Sequence, residues 1–471
     1  MNKDLICFMS ACEMAEKIKT RELTSQEITE AIIERIEKIN PIINAYCTPT
    51  FKLAREMAKE ADEKVYKNER IPPLNGIPTS VKDLVLVKGV RTTFGSKIFE
   101  DYLPTEDSIV VKRLKDAGCV LLGKTNTPEF GFKGVTDNLI FGATLNPWDL
   151  EKTSGGSSGG AAASVVCGMG PLAQGSDGGG SIRHPACFCG VYGLKPSFGR
   201  VPIYPRTPTP IADLSVIGPI VRYVSDAALM LDVMKGPFEG DRFSLPNDIT
   251  NYLDHINEIP NKLKIGYSLD LGYAKIINSE FEKVIIKSVH QFESFGFDVE
   301  EIKFKGLDPS EAFSTHWLIN YGYNLEPYLK EWKEKLDPLL VFWAETGLKI
   351  VSQLPKAMKI RNEFYQYIFD SFRNYDIIIT PTTAIPAFEI GIASPTDING
   401  VKVGPTGWQP FTFPFNFTGY PAASIPCGWT NKNLPIGMQI IGKRFEDLLI
   451  LQVSKAFEDI APWQDKIPLF N

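Results

Sequence analysis

Apolar residues recur at helical spacing in the first part of the chain. Four isoleucines share one face of a predicted helix: Ile28, Ile32, Ile36 and Ile39. Thr24 followed by Glu27 has the pattern of a capping box, which marks a helix N-terminus. Asn40-Pro41 predicts the end of this helix, because proline removes a backbone donor and disfavours helical geometry in the residue before it.

Short apolar runs further along the chain alternate with segments of helical spacing. The runs that predict buried strands lie at 77–81, 119–122, 264–267, 297–304, 376–380, 423–426 and 437–441. Helices are predicted at 108–117, 161–166, 225–234 and 279–294. This alternation favours a layered α/β architecture. We predict one domain spanning 1–471, with a mostly helical insertion near 310–373.

Composition and charge exclude several classes of protein. The chain has 471 residues, of which 44% are hydrophobic and 23% charged, as in ordinary globular proteins. Its net charge of -6 argues against nucleic acid as a partner. We find no secretory signal and no apolar run long enough to span a bilayer, so a cytoplasmic protein is predicted. The oligomeric state stays open, a homodimer included.

Glycine is concentrated between 155 and 180, where ten of 26 residues are glycine. Glycine allows backbone amides to approach a ligand closely. Two serines are prominent here, Ser157 in the first run and Ser181 directly after Gly178-Gly179-Gly180. A run of amides before a serine is suited to stabilising an oxyanion, which predicts a serine hydrolase.

A second glycine motif is misleading. Residues 118–125 match the phosphate-binding expression G-x-x-x-x-G-K-[ST] letter for letter. The four middle residues of that motif should form a loop, whereas here they are Cys-Val-Leu-Leu, which is typical of a strand. We therefore do not predict nucleotide binding.

The base that would activate a serine is less obvious. His184 lies only three residues from Ser181, too close in sequence for the usual Ser–His–Asp arrangement, and it more readily packs or caps. Lys82 follows an apolar strand and is the best candidate for a buried, neutral amine. A salt bridge between Lys82 and Asp83, or another carboxylate, is at least as good an interpretation of the sequence alone. Cys187 and Cys189 lack metal-site spacing, and neither metal nor cofactor is predicted.

Eight segments together resemble the amidase signature family of Ser–Ser–Lys amide hydrolases. They are GIPTSVKD at 76–83, GKTNTPEF at 123–130, GGSSGG at 155–160, GSDGGGSIR at 175–183, GVYGLKP at 190–196, GRV at 199–201, PAASIP at 421–426 and LPIGMQIIG at 434–442. The resemblance implies a large central mixed β-sheet covered by helices on both faces. It covers nearly the whole chain.

The resemblance also implies roles for individual residues. It implies Ser181 as nucleophile, Ser157 as a bridging serine after a cis peptide, and Lys82 as base. The oxyanion hole would use the amides of Gly178, Gly179, Gly180 and Ser181, and the supporting polar residues would be Ser158, Ser176, Asp177 and Arg183. Two positions depart from the common pattern, since 176 is Ser where Thr is usual and 178 is Gly where a larger residue is common.

We therefore expect an amidase that forms an acyl-enzyme on a small-molecule amide. The segment 462–471 is more similar to stand-alone amidases, including cyclic amide hydrolases, and an apolar, aryl or cyclic amide is the expected substrate. Four aromatic residues are predicted to contact it: Phe130, Trp317, Tyr321 and Trp408. The alternative is the glutamine-amidase subunit of a tRNA amidotransferase, because the family contains both.

Overall fold

A mixed β-sheet of eleven strands organises the described part of this computed structural model, residues 3–209, 213–274 and 278–470. The strands are β1 (Tyr46–Pro49), β2 (Pro78–Lys82), β3 (Val120–Thr125), β4 (Leu145–Asn146), β5 (Asp149–Thr153), β6 (Leu172–Asp177), β7 (Tyr192–Lys195), β8 (Val216–Val221), β9 (Lys264–Tyr267), β10 (Asp298–Glu301), β11 (Ile377–Pro381), β12 (Asp397–Ile398), β13 (Val401–Lys402), β14 (Ala422–Trp429) and β15 (Pro435–Gly442). Their order in the large sheet is β1-β3-β2-β6-β8-β7-β14-β15-β11-β9-β10, and β4–β5 and β12–β13 form separate pairs.

Helices cover both faces of this sheet, which confirms the predicted α/β class. They are α1 (Lys3–Phe8), α2 (Ala11–Lys19), α3 (Ser25–Ile43), α4 (Phe51–Tyr66), α5 (Ile109–Asp116), α6 (Gly159–Val166), α7 (Arg183–Cys189), α8 (Val224–Met234), α9 (Tyr252–His255), α10 (Ser279–His290), α11 (Ser310–Trp332), α12 (Pro338–Lys349), α13 (Leu354–Ser371), α14 (Phe413–Phe417) and α15 (Asp447–Ile460). No helix among the described residues is both long and apolar enough to cross a membrane.

Two neighbouring parallel strands bring the polar residues of interest together. In β2 and β6, Thr79 pairs with Leu172 and Val81 with Gln174. Because the carboxyl ends of parallel strands meet at one edge of a sheet, Lys82 at the end of β2 lies beside the end of β6. The glycine run that follows β6 leads directly into α7.

The N-terminal helix was predicted correctly at its start and wrongly at its end. Thr24 and Glu27 form the expected capping box. The helix continues past Pro41 to Ile43, and it ends at Asn44, which is in a left-handed conformation and whose amide donates to the carbonyl of Asn40. Asn40 then accepts hydrogen bonds from the amides of Ala45 and Tyr46, which stabilises the exit from the helix.

The strand predicted within the phosphate-binding expression is confirmed. Gly123, Lys124 and Thr125 belong to strand β3, so their backbone forms a sheet rather than a phosphate loop. The predicted strand–helix–strand unit is also present as β9, α10 and β10, with β9 and β10 paired in parallel. The helices α11, α12 and α13 occupy 310–371. The division into one domain with an insertion stays a prediction.

Candidate active site

Lys82 points into a cluster of three serine hydroxyls. Its Nζ lies 2.7 Å from Ser157 Oγ, 2.9 Å from Ser158 Oγ and 3.1 Å from Ser176 Oγ. Ser157 and Ser158 directly precede α6, and Ser176 is on β6. The lysine is fully buried, at 0% exposure. The sheet and one helix N-terminus therefore converge on a single amine.

Burial lowers the pKa of Lys82 well below its usual value, although the negative charge of Asp177 opposes this shift. A neutral amine has two N–H donors and one lone pair. Ser158 Oγ donates to the carbonyl of Ser176 at 3.2 Å, so Ser158 accepts from the amine. The lone pair can then accept the hydroxyl proton of Ser157.

The alternative salt bridge between Lys82 and Asp83 does not form. Asp83 Oδ1 instead lies 3.3 Å from Nζ of Lys124, and Asp83 Oδ2 accepts the amide of Thr93 at 3.0 Å. Lys82 is the last residue of β2 and Asp83 lies in the turn that follows, so the two side chains enter different surroundings. No carboxylate pairs with Lys82 in the described part of the chain.

Ser181 lies at the start of α7 and opens onto the same cavity as Ser157. Its carbonyl accepts the amide of Ser158 at 3.1 Å, which ties the two glycine runs together. Its hydroxyl has no hydrogen-bond partner among the described residues. Catalytic hydrogen bonds are often long in unliganded enzymes and shorten in the substrate complex. The peptide between Gly156 and Ser157 is cis, as the resemblance implied.

The glycine run before Ser181 differs from expectation at one position. The amide of Gly180 donates to Oδ1 of Asp177 at 2.7 Å and is therefore already engaged. The amides of Gly178, Gly179 and Ser181 have no partner within the described residues. Gly180 itself must be glycine, since its φ is +135° and a Cβ would lie 2.2 Å from Nε2 of His184.

A buried ion pair supports this loop. Arg183 Nε and Nη2 contact the two carboxylate oxygens of Asp177 at 3.0 and 2.9 Å, and both side chains are fully buried. Burial alone would raise the pKa of Asp177, but Arg183 holds it well below the usual value. Arg183 Nη1 also donates to Gln439 Oε1 at 2.6 Å and to the carbonyl of Thr412 at 2.8 Å.

Sequence reasoning missed several members of this network. Asn416 donates to the carbonyl and the carboxylate of Asp177, at 2.8 and 2.9 Å. Gln439 lies within the family-like segment 434–442, which was a signal, whereas nothing in the sequence marked Asn416 or Thr412. Gly131 was also missed; its φ is +74° and a Cβ there would lie 3.2 Å from Ser157 Oγ.

His184 is not placed as a general base for Ser181. Its Nε2 lies 2.5 Å from Thr412 Oγ1, and burial lowers its pKa to about 3. The other histidines pair with carboxylates elsewhere: His255 with Glu258, His290 with Glu293 and His316 with Asp213. Within the part of the chain that the structure describes, no three His, Cys, Asp or Glu side chains are grouped to hold a metal ion.

Two cavities meet at Ser181. The first, of about 60 Å³, also contains Ser157, Phe130 and Tyr321. The second, of about 300 Å³, has a mainly apolar lining that includes Phe132, Phe313, Leu318, Leu339 and Trp343. Both cavities share Gly131, Ser181 and Trp317. Ser157 is part of the first cavity alone.

The predicted substrate-contacting aromatics fall into two groups. Phe130, Tyr321 and Trp317 line the cavities. Trp408 lines neither cavity as described; it packs against the rings of His184 and Phe188, with centroids 4.8 and 5.7 Å away. Trp408 therefore supports the wall of the site from behind.

Charge is almost absent from the lining of both cavities. Among the described lining residues the charged side chain is Lys133, and it is paired with Asp137 at 2.6 Å and Asp337 at 2.8 Å. His184 is neutral because of its low pKa. The described lining residues of the two cavities therefore offer no free charge to a substrate.

Curated relatives match the chain over almost all of its length. A glutamyl-tRNA(Gln) amidotransferase subunit from Sulfurihydrogenibium sp. (strain YO3AOP1) is 38% identical, covering 97% of this chain and 98% of the relative. An acylamidase from Rhodococcus erythropolis is 35% identical, covering 99% and 98%.

Solved structures agree with the fold. A bacterial aryl acylamidase of the amidase signature enzymes superposes with a TM-score of 0.90 at 32% identity, covering 97% of both chains. The 6-aminohexanoate cyclic dimer hydrolase superposes with a TM-score of 0.88 at 30% identity, covering 98% of this chain and 99% of that one. The family model named Amidase matches residues 27–451. This chain therefore belongs to the amidase family of amide hydrolases.

Proposed function

We propose that this protein hydrolyses a carboxylic amide through an acyl-enzyme on Ser181, with Ser157 and Lys82 as the proton relay. The observation that carries the proposal is the environment of Lys82. Its amine is buried, has no carboxylate partner among the described residues, and lies 2.7 Å from Ser157 Oγ. A buried lysine whose pKa is lowered in this way is suited to accept a proton.

The relay first carries a proton to Lys82 and later returns it to the substrate. Lys82 takes the hydroxyl proton of Ser157 while Ser157 takes that of Ser181, and Ser181 Oγ forms a bond to the amide carbon. The proton then returns from Lys82 through Ser157 to the amide nitrogen as the C–N bond breaks. Water hydrolyses the acyl-enzyme by the same route, which releases the acid and regenerates Ser181.

The developing oxyanion would be bound by the unengaged amides of the glycine run. These belong to Gly178, Gly179 and Ser181, since Asp177 takes the amide of Gly180. Each well-placed donor contributes about 3 kcal/mol to stabilising such a transition state. Ser158, Ser176, Asp177 and Arg183 act in support by holding the amine and the loop.

The position of Ser157 supports an assignment of the two cavities to the two sides of the substrate. Ser157 returns the proton to the leaving nitrogen, so the amine side of the substrate occupies the first cavity, where Ser157 lies. The acyl side then extends into the second cavity, which is larger and mainly apolar. An amide with an apolar, for example aryl, acyl group and a compact amine fits best. A cyclic amide would use both cavities where they meet.

The alternative is glutamine hydrolysis for a tRNA amidotransferase, which the 38% identity to the amidotransferase relative favours. Free glutamine carries an ammonium and a carboxylate, and each needs an opposite charge or equivalent donors when buried. The one charged side chain among the described lining residues is already paired with two aspartates. Ammonia release from glutamine, with and without the partner subunits of such a complex, tests this alternative.

Covalent labelling tests the proposed nucleophile. A fluorophosphonate probe followed by peptide mapping should place the adduct on Ser181, and Ser181→Ala should remove both labelling and hydrolysis. Ser215→Ala is the matched control, because Ser215 lines the same cavity and has no role in the relay. It should label and turn over like the unaltered protein. Labelling at another serine would overturn the proposal.

A further inference from the structure

We propose that His184 and Thr412 together position the oxyanion-binding loop 178–181. This inference rests on the proposed function, because it assigns the pair a role in that reaction. Neither residue transfers a proton in it. They act by holding the backbone of the glycine run in the orientation that leaves its donors unengaged.

The direction of the hydrogen bonds follows from the single proton of the Thr412 hydroxyl. Thr412 Oγ1 donates to the carbonyl of Gly179 at 2.9 Å. The same oxygen lies 2.5 Å from Nε2 of His184, and we assign the imidazole as the donor there, because the carbonyl of Gly179 can only accept the hydroxyl proton. In this assignment His184 carries its proton on Nε2, Nδ1 is left without a hydrogen-bond partner among the described residues, and a continuous chain of hydrogen bonds runs from the imidazole to the loop.

This chain of hydrogen bonds helps to hold one peptide unit of the loop in place. The carbonyl of Gly179 and the amide of Gly180 belong to the same planar peptide. Thr412 holds the carbonyl, and Asp177 holds the amide at 2.7 Å. Three consecutive glycines have no side chains to restrain them, so these polar contacts determine their orientation.

The next peptide unit is held by His184 as well. Its backbone amide donates to the carbonyl of Gly180 at 2.7 Å. In a planar trans peptide the C=O and N–H bonds point in opposite directions. The amide of Ser181, in the same unit as that carbonyl, therefore points away from His184 and stays unengaged.

The imidazole itself is held in place. Trp408 packs against it, with ring centroids 4.8 Å apart, and the ring lies directly on Gly180. The carbonyl of Thr412 is bound by Arg183 at 2.8 Å, which fixes the other end of the chain. Since burial lowers the pKa of His184 to about 3, the ring stays neutral across the working range of pH.

Two pairs of variants test the inference. His184→Leu and Thr412→Val remove the hydrogen bonds, whereas His184→Gln and Thr412→Ser keep a donor or hydroxyl at nearly the same place. Each protein is assayed with an amide and an ester that share one acyl group, and its melting temperature is recorded. A loosened oxyanion loop should lower kcat for both substrates alike, by about 10- to 100-fold, with little change in KM. The conservative variants should retain activity.

The double variant shows whether the two residues act as one unit or have two separate effects on activity. Because both act through the same chain, His184→Leu with Thr412→Val should lose no more activity than the worse single variant. Losses that multiply would overturn the inference. So would a Thr412→Val enzyme with unaltered kcat, or a loss for the amide much larger than for the ester, which would indicate proton transfer.

A labelling experiment gives separate results for this inference and for the proposed function. Labelling of Ser181 by the fluorophosphonate probe tests the nucleophile, and its rate in each variant reports on the oxyanion loop. If Ser181 is not labelled in the unaltered protein, the proposed function fails. If it is labelled at an undiminished rate in His184→Leu and Thr412→Val, the positioning role fails and the nucleophile stands.

Discussion

The carboxylate of Asp177 accepts the amide N–H of Gly180 at 2.7 Å. A buried carboxylate is a strong acceptor, so this donor is unavailable to a substrate. The donors left in the loop are the amides on either side of it. The same carboxylate is paired with Arg183, so this ion pair contributes to the shape of the loop and takes one of its amides out of reach of a substrate.

The pH dependence of amide hydrolysis should follow Lys82. Burial lowers its pKa, and only the neutral amine can accept the proton from Ser157, so activity should rise with pH through the lowered pKa. The plateau should be reached well below 10.5, the ordinary value for lysine. Lys82→Met should lower kcat/KM by about 10²- to 10⁴-fold. Lys82→Arg should not restore it, because the guanidinium stays protonated.

Lys195 provides the matched control for that experiment. It is also a buried lysine, and burial together with the charge of Arg183 lowers its pKa to about 7. Its amine donates to the carbonyl of Pro196 at 3.0 Å and takes no part in the relay. Lys195→Met should retain the same pH profile. If the rising limb disappears in this variant instead, Lys82 is not the group that titrates.

Asp177→Asn should shift the same profile to lower pH. The negative charge of Asp177 raises the pKa of Lys82, so its removal should lower that pKa further. The variant also leaves Arg183 without its partner, which costs about 3–5 kcal/mol of stability for a buried pair. A pH profile of kcat/KM and a thermal melt measure the two effects. A profile that moves to higher pH would contradict this electrostatic account.

Asp177 should also make stability depend on pH in acid. Its pKa is lower in the folded protein than in the unfolded chain, because Arg183 stabilises the carboxylate. The unfolded state therefore binds more protons between the two values. The contribution is present above the ordinary value of 3.8 and is lost as the pH falls through the folded value. Asp177→Asn should flatten that part of the curve of melting temperature against pH.

A pair of isomeric substrates tests the assignment of the cavities. 3-Phenylpropanamide carries its ring on the acyl side, and N-benzylacetamide carries it on the amine side. The second cavity, in which we propose that the acyl group binds, is about 300 Å³ and the first, proposed for the amine, about 60 Å³, so kcat/KM should favour 3-phenylpropanamide. A preference of about 10-fold or more is expected from one well-accommodated apolar group.

Two matched substitutions test which cavity holds the phenyl ring of each substrate. Ala393 lines the second cavity and Thr207 the first, and neither lies within a helix or strand. Ala393→Phe should reduce hydrolysis of 3-phenylpropanamide more than that of N-benzylacetamide, and Thr207→Phe should do the opposite. Reversed selectivities would mean that the acyl group occupies the smaller cavity.

The strands and helices that the sequence predicted share a local signal. The capping box at Thr24 and Glu27 and the apolar runs of β9, β11 and β15 are read from residues that are neighbours in the chain. Strand β6, from Leu172 to Asp177, was not predicted. It contains glycine and three polar residues because its carboxyl end supplies the site, so its composition is unlike that of a buried strand.

The sequence by itself determined the family resemblance, the α/β class and the candidate residues Lys82, Ser157 and Ser181. Only the tertiary structure decided that Lys82 lies among hydroxyls rather than beside Asp83. It also decided which amides of the loop are engaged and where His184 donates. These outcomes depend on contacts such as that between Thr412 and Gly179, 233 residues apart. Such pairings follow from how the whole sheet and its helices pack, which no local pattern of residues specifies.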